Sequence, residues 1–334
     1  MPSTFETERR GRVLVVRIDN PPHNFMTGEM VRELSDLFGS LRGDRSIGAV
    51  VITGKPEHLY ITHYDVGEIL ASVERAGIAA PPWLTAIVLR IAGAVRRVPV
   101  LRELAERTPL AAVFELYRIH DLFLSMNRSD KVFIAAINGP ATGGGCETSL
   151  ACDIRVMADT DISIGLPEMT VDFNPGAGGT QRLPRVVGVG RALAMMLEGR
   201  TLSPRQALDY GLVQAVVPQD QIEEAAVHMG ERLARRSPEA IRSLKRAVYE
   251  GGSRPLRRGL AVERKWFMVS SATNSSKQKM AAMSRQVEGD GGSPWVTAEL
   301  LEPWQEGTAV DAESEEARAL TASGVVSPRR RRSA

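Results

Sequence analysis

The sequence predicts an α/β fold with a C-terminal helical subdomain, and three observations lead there. Short apolar, β-branched runs bounded by Gly, Pro or Asp recur up to Ala158. Helical spacings of apolar residues lie between those runs. Beyond about Thr201 the recurring signals are helix starts rather than strands.

Arg12 to Asp19 (RVLVVRID) and Ile47 to Gly54 (IGAVVITG) read as buried strands. Between them Val31, Leu34, Phe38 and Leu41 repeat at helical spacing, which predicts a helix over Met30 to Leu41. Val132 to Asn138 (VFIAAIN) and Cys152 to Ala158 (CDIRVMA) are two further strands, separated by a Gly-rich turn and a short helical run. Ser203-Pro204 supplies a helix N-cap and first-turn proline, and Gly211 stands where a glycine would close that helix. Ser237-Pro238-Glu239 repeats the start signal, and the helical stretch that follows offers Trp266 and Phe267 as anchors onto the α/β body.

This organisation gives a core over residues 1–200 with a helical insertion about 69–129, a helical subdomain over 201–287, and a flexible tail over 288–334. The tail is rich in Gly, Ser, Pro and acidic residues and ends in the run Arg329 to Arg332, too polar to order itself by burial. Such a run is ordinarily solvated charge rather than a binding site.

Composition narrows the function classes. With 43% hydrophobic and 25% charged residues in 334, the chain has the balance of an ordinary soluble protein. A formal net charge of +2 makes no field that would call for nucleic acid as a partner. Cys146 and Cys152 are the only cysteines, too few for a disulfide framework or a four-ligand metal site, and a reduced, cytoplasmic compartment is expected. The charged start, Met1 to Arg12, lacks the apolar core of a secretory signal. Trp83 to Val98 is interrupted by Arg90, Arg96 and Arg97 and is too short to span a bilayer, so no membrane association is expected.

The chemistry concentrates in Ile137 to Glu147 (INGPATGGGCE), a strand end, three successive glycines and a helix carrying Glu147 in its first turn. Glycines let a ligand approach the backbone, and the unpaired amides at a helix start favour negative charge, which is how an oxyanion hole is built. Alone, the triple glycine reads equally as a tight turn for close helix packing. It lacks the Lys-Ser/Thr ending of a P-loop and the G-x-G-x-x-G spacing of a dinucleotide site. A second carboxylate, Glu168, follows in Gly165-Leu166-Pro167-Glu168, ahead of Asn174-Pro175-Gly176-Ala177-Gly178-Gly179. Paired carboxylates can hold a water and move protons to and from carbon, although each can also be a surface or capping group.

Taken in order, AAINGxAxGGGCE, ACDIRxxA and PE-x7-GAGGTQRL resemble the signature of the enoyl-CoA hydratase/isomerase (crotonase) family. The likeness continues through Arg191 to Val217 and back to the strands near Val13 and Val50. It implies a spiral of ββα units that binds coenzyme A thioesters, with no cofactor beyond that substrate and no metal. It implies catalytic roles for Glu147 and Glu168, an oxyanion hole from the amides of Tyr64 and Gly144, and a water placed with help from Gly176. His23, Asn24, Thr62, His63, Asp65 and Gly143 would line the substrate and coenzyme A path.

The family writes the oxyanion loop F-x-x-G-A-D, here Tyr60-Ile61-Thr62-His63-Tyr64-Asp65, so His63 and Tyr64 depart from the pattern. A histidine in a glycine position can alter φ or crowd the acyl chain. Retention of both carboxylates favours hydration of a trans-2-enoyl-CoA, with an isomerase, a thioester hydrolase or a non-catalytic acyl-CoA-binding protein as alternatives. The span between Asp65 and Lys131 is longer than the family's usual one, which predicts either an enlarged acyl pocket or an extra surface helix. A homo-oligomer, trimer or hexamer, is expected from the resemblance only.

Overall fold

The computed structural model describes residues 3–76, 81–105, 108, 110–288, 295 and 297–310. Its main sheet has six strands in the order β1-β2-β3-β4-β6-β9. The edge strand β1 (Phe5–Arg10) runs antiparallel to β2 (Val13–Ile18), and every other neighbour pair is parallel. β3 (Ala49–Gly54) and β4 (Val132–Ile137) are buried along their whole length. Strands covered on both faces read as continuous apolar runs, which is why sequence patterning located them. β1 (FETERR) is charged and gave no such signal. It is held by the ladder to β2 and by ion pairs of Arg10 and Arg17 with Glu223, at 2.9 and 2.6 Å.

α1 (Gly28–Ser40) follows β2, is capped by Thr27, and sets Phe38 edge-on against Phe133 of β4 with ring centroids 4.9 Å apart. The insertion is helical: α2 (Val66–Ala76), α3 (Pro82–Val95), α4 (Pro99–Ala105) and α5 (Leu110–Arg128). After β4 come β5 (Ala141–Thr142), α6 (Gly144–Ala151), β6 (Ile154–Ala158) and β7 (Ile164–Gly165). A single 3-10 turn, Glu168–Val171, precedes α7 (Gly179–Val187) and α8 (Val189–Glu198). β8 (Thr201–Leu202) completes a small sheet in the order β5-β7-β8. α9 (Pro204–Asp209) opens with the expected Ser203 N-cap, which Gln206 completes as a capping box, and Gly211 sits at φ +70° just past its end.

Two elements beyond the boundary expected at residue 200 pack with the main sheet. β9 (Ala215–Val217) joins the main sheet beside β6, and α10 (Ile222–Ala234) packs on β2, β3 and β4. A three-residue strand such as β9 carries too little periodicity to be seen in sequence. α11 (Pro238–Arg246) docks through Lys245, whose Nζ reaches Asp153 at 2.6 Å and the carbonyl of Lys131 at 2.7 Å. Tyr249 donates to the other oxygen of Asp153 at 3.0 Å.

Two expectations are corrected. Phe267 does not anchor α12 (Leu256–Ser271) to the body: it is 65% exposed, and α12 buries none of its side chains, whereas Trp266 lies half-buried under Arg246. α12 packs chiefly on α11 and the π-helical turn before it, so its outer apolar residues stay exposed among the described residues. Within the span expected to be a flexible tail, α14 (Ala298–Glu306) forms after the N-cap Thr297. It binds α13 (Asn274–Glu288) through Trp304 Nε1 to Gln286 Oε1 at 3.0 Å, and Arg235 donates to the carbonyl of Glu306 at 3.0 Å. The arginine run 329–332 lies outside the described residues. No described helix is long and apolar enough to cross a membrane.

Candidate active site

The site forms where β4 delivers the chain into the triple glycine. Gly143 takes φ +47°, and its amide bonds the carbonyl of Gly165 at 3.0 Å, which turns the backbone directly into α6. All eight residues of α6 are buried. It lies so close to the Tyr60–Asp65 loop that a Cβ on Gly145 would stand 1.8 Å from the carbonyl oxygen of Ile61. Only glycine allows that approach, and its consequence is that Gly144 and Tyr64 meet: a Cβ on Gly144 would stand 3.1 Å from Tyr64 N. As the first residue of a helix, Gly144 has an amide with no intrahelical acceptor. Among the described residues the Tyr64 amide has no acceptor either, so two free donors lie close together at the same cavity.

The Tyr60–Asp65 loop is fixed by backbone pairing. Met26 N donates to His63 O at 2.8 Å, Asp65 N to Met26 O at 2.9 Å, and Thr62 N to Asn24 O at 3.2 Å. His63 is absent from the residues with positive φ, so a histidine in the family's glycine position adds no backbone strain here. Its Nδ1 donates to the carbonyl of Tyr64 at 2.7 Å, and its ring lies 4.3 Å from that of Phe25.

Glu147 sits one turn into α6 and is 3% exposed. Its Oε1 accepts from the amides of Ala177 and Gly179 at 2.8 and 2.7 Å. Burial pushes its carboxyl up from 4.5 to about 7, with Glu168 adding to the rise, against the two amides and Arg182. Glu168 opens the 3-10 turn after β7, and burial raises its carboxyl as well. Its Oε2 is buried without a hydrogen-bond partner among the described residues, and a Cβ on Gly143 would lie 3.3 Å from its Oε1. A carboxylate oxygen left unpaired beside a second, half-neutral carboxyl is suited to exchanging protons with a bound molecule.

α5 braces this arrangement. His120 Nε2 donates to the carbonyl of Gly176 at 2.7 Å, one residue before the loop amide that holds Glu147. Arg182, whose guanidinium is weakened by burial and favoured by Glu147, donates to Asn127 Oδ1 at 3.0 Å and lies over the ring of Phe123.

His63, Tyr64, Gly143, Gly144, Glu147 and Glu168 all line one cavity of about 520 Å³, and Gly176 lines it too. The cavity extends between α2 and α5 over Val66, Ile69, Val73, Leu116 and Ile119, with Val171 and Phe173 opposite. Four sequence-selected residues lie outside it. Asn24, fully buried at φ +53°, donates from Nδ2 to the carbonyls of Ile18 and Tyr60 and accepts from Asn20 N. Asp65 caps the start of α2 through the Gly67 amide at 2.7 Å. Thr62 Oγ1 bonds the carbonyl of His23, and the His23 ring stacks on Phe25 at 4.9 Å. Sequence reasoning missed Ala177 and Gly179 as the partners of Glu147. The glycine-rich run at 176–179 was the available signal. Nothing in spacing pointed to His120 or Arg182. Among the described residues no group of His, Cys, Asp and Glu could hold a metal.

Fold and site together define a parallel-sheet α/β protein in which two neighbouring backbone amides share a cavity with one buried and one half-buried carboxyl. The family model for enoyl-CoA hydratase/isomerase matches residues 8–94 and 101–288, and the chain belongs to that family. It is 40% identical over 182 residues to the 2,3-dehydroadipyl-CoA hydratase of Escherichia coli (strain K12), covering 54% of this chain and 70% of that one. It is 28% identical over 285 residues to the short-chain-enoyl-CoA hydratase of Clostridium acetobutylicum, covering 84% and 95%. Among solved structures, the enoyl-CoA hydratase from Bacillus anthracis superposes with a TM-score of 0.67 at 27% identity, covering 85% of this chain and 96% of that one.

Proposed function

We propose that this protein adds water across the double bond of a trans-2-enoyl-CoA thioester to give a 3-hydroxyacyl-CoA. The observation that carries the reading is the convergence of Glu147, Glu168 and the amides of Tyr64 and Gly144 on a single cavity. The thioester oxygen sits between the two amides. Water held by the two carboxyls adds its oxygen to Cβ as Glu147, once ionised, takes its proton. Glu168, whose carboxyl burial raises, gives a proton to Cα, and the two amides stabilise the enolate between these steps. Removing one such donor typically costs about 10²- to 10³-fold in rate. No cofactor takes part.

The apolar wall that α2 and α5 add favours an acyl group larger than four carbons, since Val66, Val73 and Leu116 are 48, 64 and 40% exposed and uncovered. His23, Phe25 and His63 form a stacked row beside the oxyanion loop that suits the coenzyme A moiety. The bare apolar residues of α12, such as Leu256 and Phe267, support a homo-oligomer, trimer or hexamer. Two buried free thiols fit a reducing cytoplasm.

The test is conversion of a panel of trans-2-enoyl-CoAs by the wild type, Glu147→Gln and Glu168→Gln, with product identification. Hydrated product lost in both variants supports the reading. A moved double bond or free coenzyme A as the product replaces it with an isomerase or a hydrolase.

A further inference from the structure

A second cavity, of about 900 Å³, opens on another face of α5, walled by the end of α1, by α5 and by α11. Its lining is strongly basic. α1 and the turn after it bring Arg42 and Arg45, and α11 brings Arg242 and Arg246. Arg96, Arg118 and Arg128 come from the end of α3 and from α5. Against these seven cations the lining holds three carboxylates, Asp121, Asp130 and Glu239.

The internal pairing does not neutralise them. Arg45 meets Glu239 at 2.6 Å, Arg118 meets Glu115 at 2.5 Å, and Arg96 pairs with Asp121. Arg246 and Arg128 share the single carboxylate of Glu250, the latter at 3.7 Å, and Asp130 is taken by Lys131 at 3.1 Å. Arg42 and Arg242 have no ion pair among the described residues. The Nε groups of Arg96 and Arg246 are buried without an acceptor. Donors left buried and unpaired lower stability until an acceptor arrives. Arg96 is also held in place, with its guanidinium 4.5 Å over the ring of Tyr117, so part of the site is ordered before any ligand comes.

Guanidinium forks match the paired oxygens of phosphate, and several of them around one concave space match a multiply charged phosphate chain better than a single carboxylate. We propose that this cavity binds a soluble small molecule bearing a diphosphate or longer phosphate chain, with Arg42 and Arg242 as its principal contacts. The site is separate from the acyl cavity: residues 115, 116 and 119 of α5 face that one, whereas Tyr117, Arg118 and Asp121 face this one.

Calorimetric titration of the full chain with inorganic pyrophosphate at fixed ionic strength tests the proposal. The wild type is expected to bind it saturably, and Arg42→Ala/Arg242→Ala to weaken binding by at least about tenfold, the loss expected for two charge-assisted contacts. Arg205→Ala, exposed and paired with Asp209 elsewhere on the surface, is the control and is expected to bind as the wild type does. Both arginines of the double variant are exposed, so thermal melting serves to confirm an intact fold. Absence of saturable binding overturns the proposal. So does a loss in the double variant no larger than that in Arg205→Ala, which would place pyrophosphate elsewhere, including in the acyl-CoA site.

Discussion

Replacing Glu147 by Gln is expected to stabilise the protein at alkaline pH while abolishing turnover. An unfolded chain ionises this carboxyl near 4.5, the folded chain only near 7, because burial disfavours the anion. Between those values the folded state holds a proton that the unfolded state has released, so stability falls as pH rises through that window and stays low above it. At 1.36 kcal/mol per pH unit the displacement costs the wild type about 3 kcal/mol at pH 8 and almost nothing at pH 4.5. Glutamine keeps an Oε1 that can accept from the Ala177 and Gly179 amides and has no charge to desolvate. The stability gap, variant minus wild type, should therefore open from near zero at pH 4.5 to about 2 to 3 kcal/mol at pH 8, a rise in melting temperature of several degrees. The assay is urea unfolding of both proteins at pH 4.5, 6, 7 and 8. A gap that does not change with pH would refute the reasoning, because it would mean that the carboxylate is not desolvated in the folded chain.

Four further outcomes follow from the same geometry. If ionised Glu147 accepts the water's proton, kcat/KM should climb with pH toward about 7 and fall again where Glu168 loses the proton it must give, and an acid limb at the ordinary carboxylate value would contradict the burial of Glu147. Gly144→Ala should lower kcat by about 10²-fold or more with little change in KM, since the new methyl stands 3.1 Å from Tyr64 N in the space meant for the oxyanion; unchanged turnover in steady-state kinetics would remove the hole from that position. Val73→Trp should suppress turnover of long-chain or ring-bearing enoyl-CoAs far more than of crotonyl-CoA, and equal losses across the panel would show that α2 does not border the acyl path. Asp153→Ala removes the carboxylate shared by Lys245, Tyr249 and the Phe133 amide, leaving Lys245 only the Lys131 carbonyl, and should cost about 3 to 5 kcal/mol in urea unfolding.

The sequence by itself determined the parallel core and the two carboxyls proposed to act together. Val13 to Ile18, Ala49 to Gly54 and Val132 to Ile137 had to be apolar throughout because both faces are covered, and that leaves an unbroken signal. Glu147 and Glu168 were legible because their loops need glycines at fixed spacing, both for positive φ at Gly143 and for the approach of α6 to Ile61. β1 and β9 were not legible: one is a charged edge strand and the other three residues long, and each is specified by the neighbour it pairs with. The same holds at the site. Asn24 and Asp65 stand in the expected motif, yet their polar atoms are consumed by backbone groups brought near by folding. His120 and Arg182 gain their places beside Gly176 and Glu147 only because α5, whose C-terminal half packs on α6, crosses the loop before α7. Backbone conformation and two-sided burial write themselves into local sequence, whereas contacts between side chains dozens of residues apart depend on how the helices pack, and only the tertiary structure decides those.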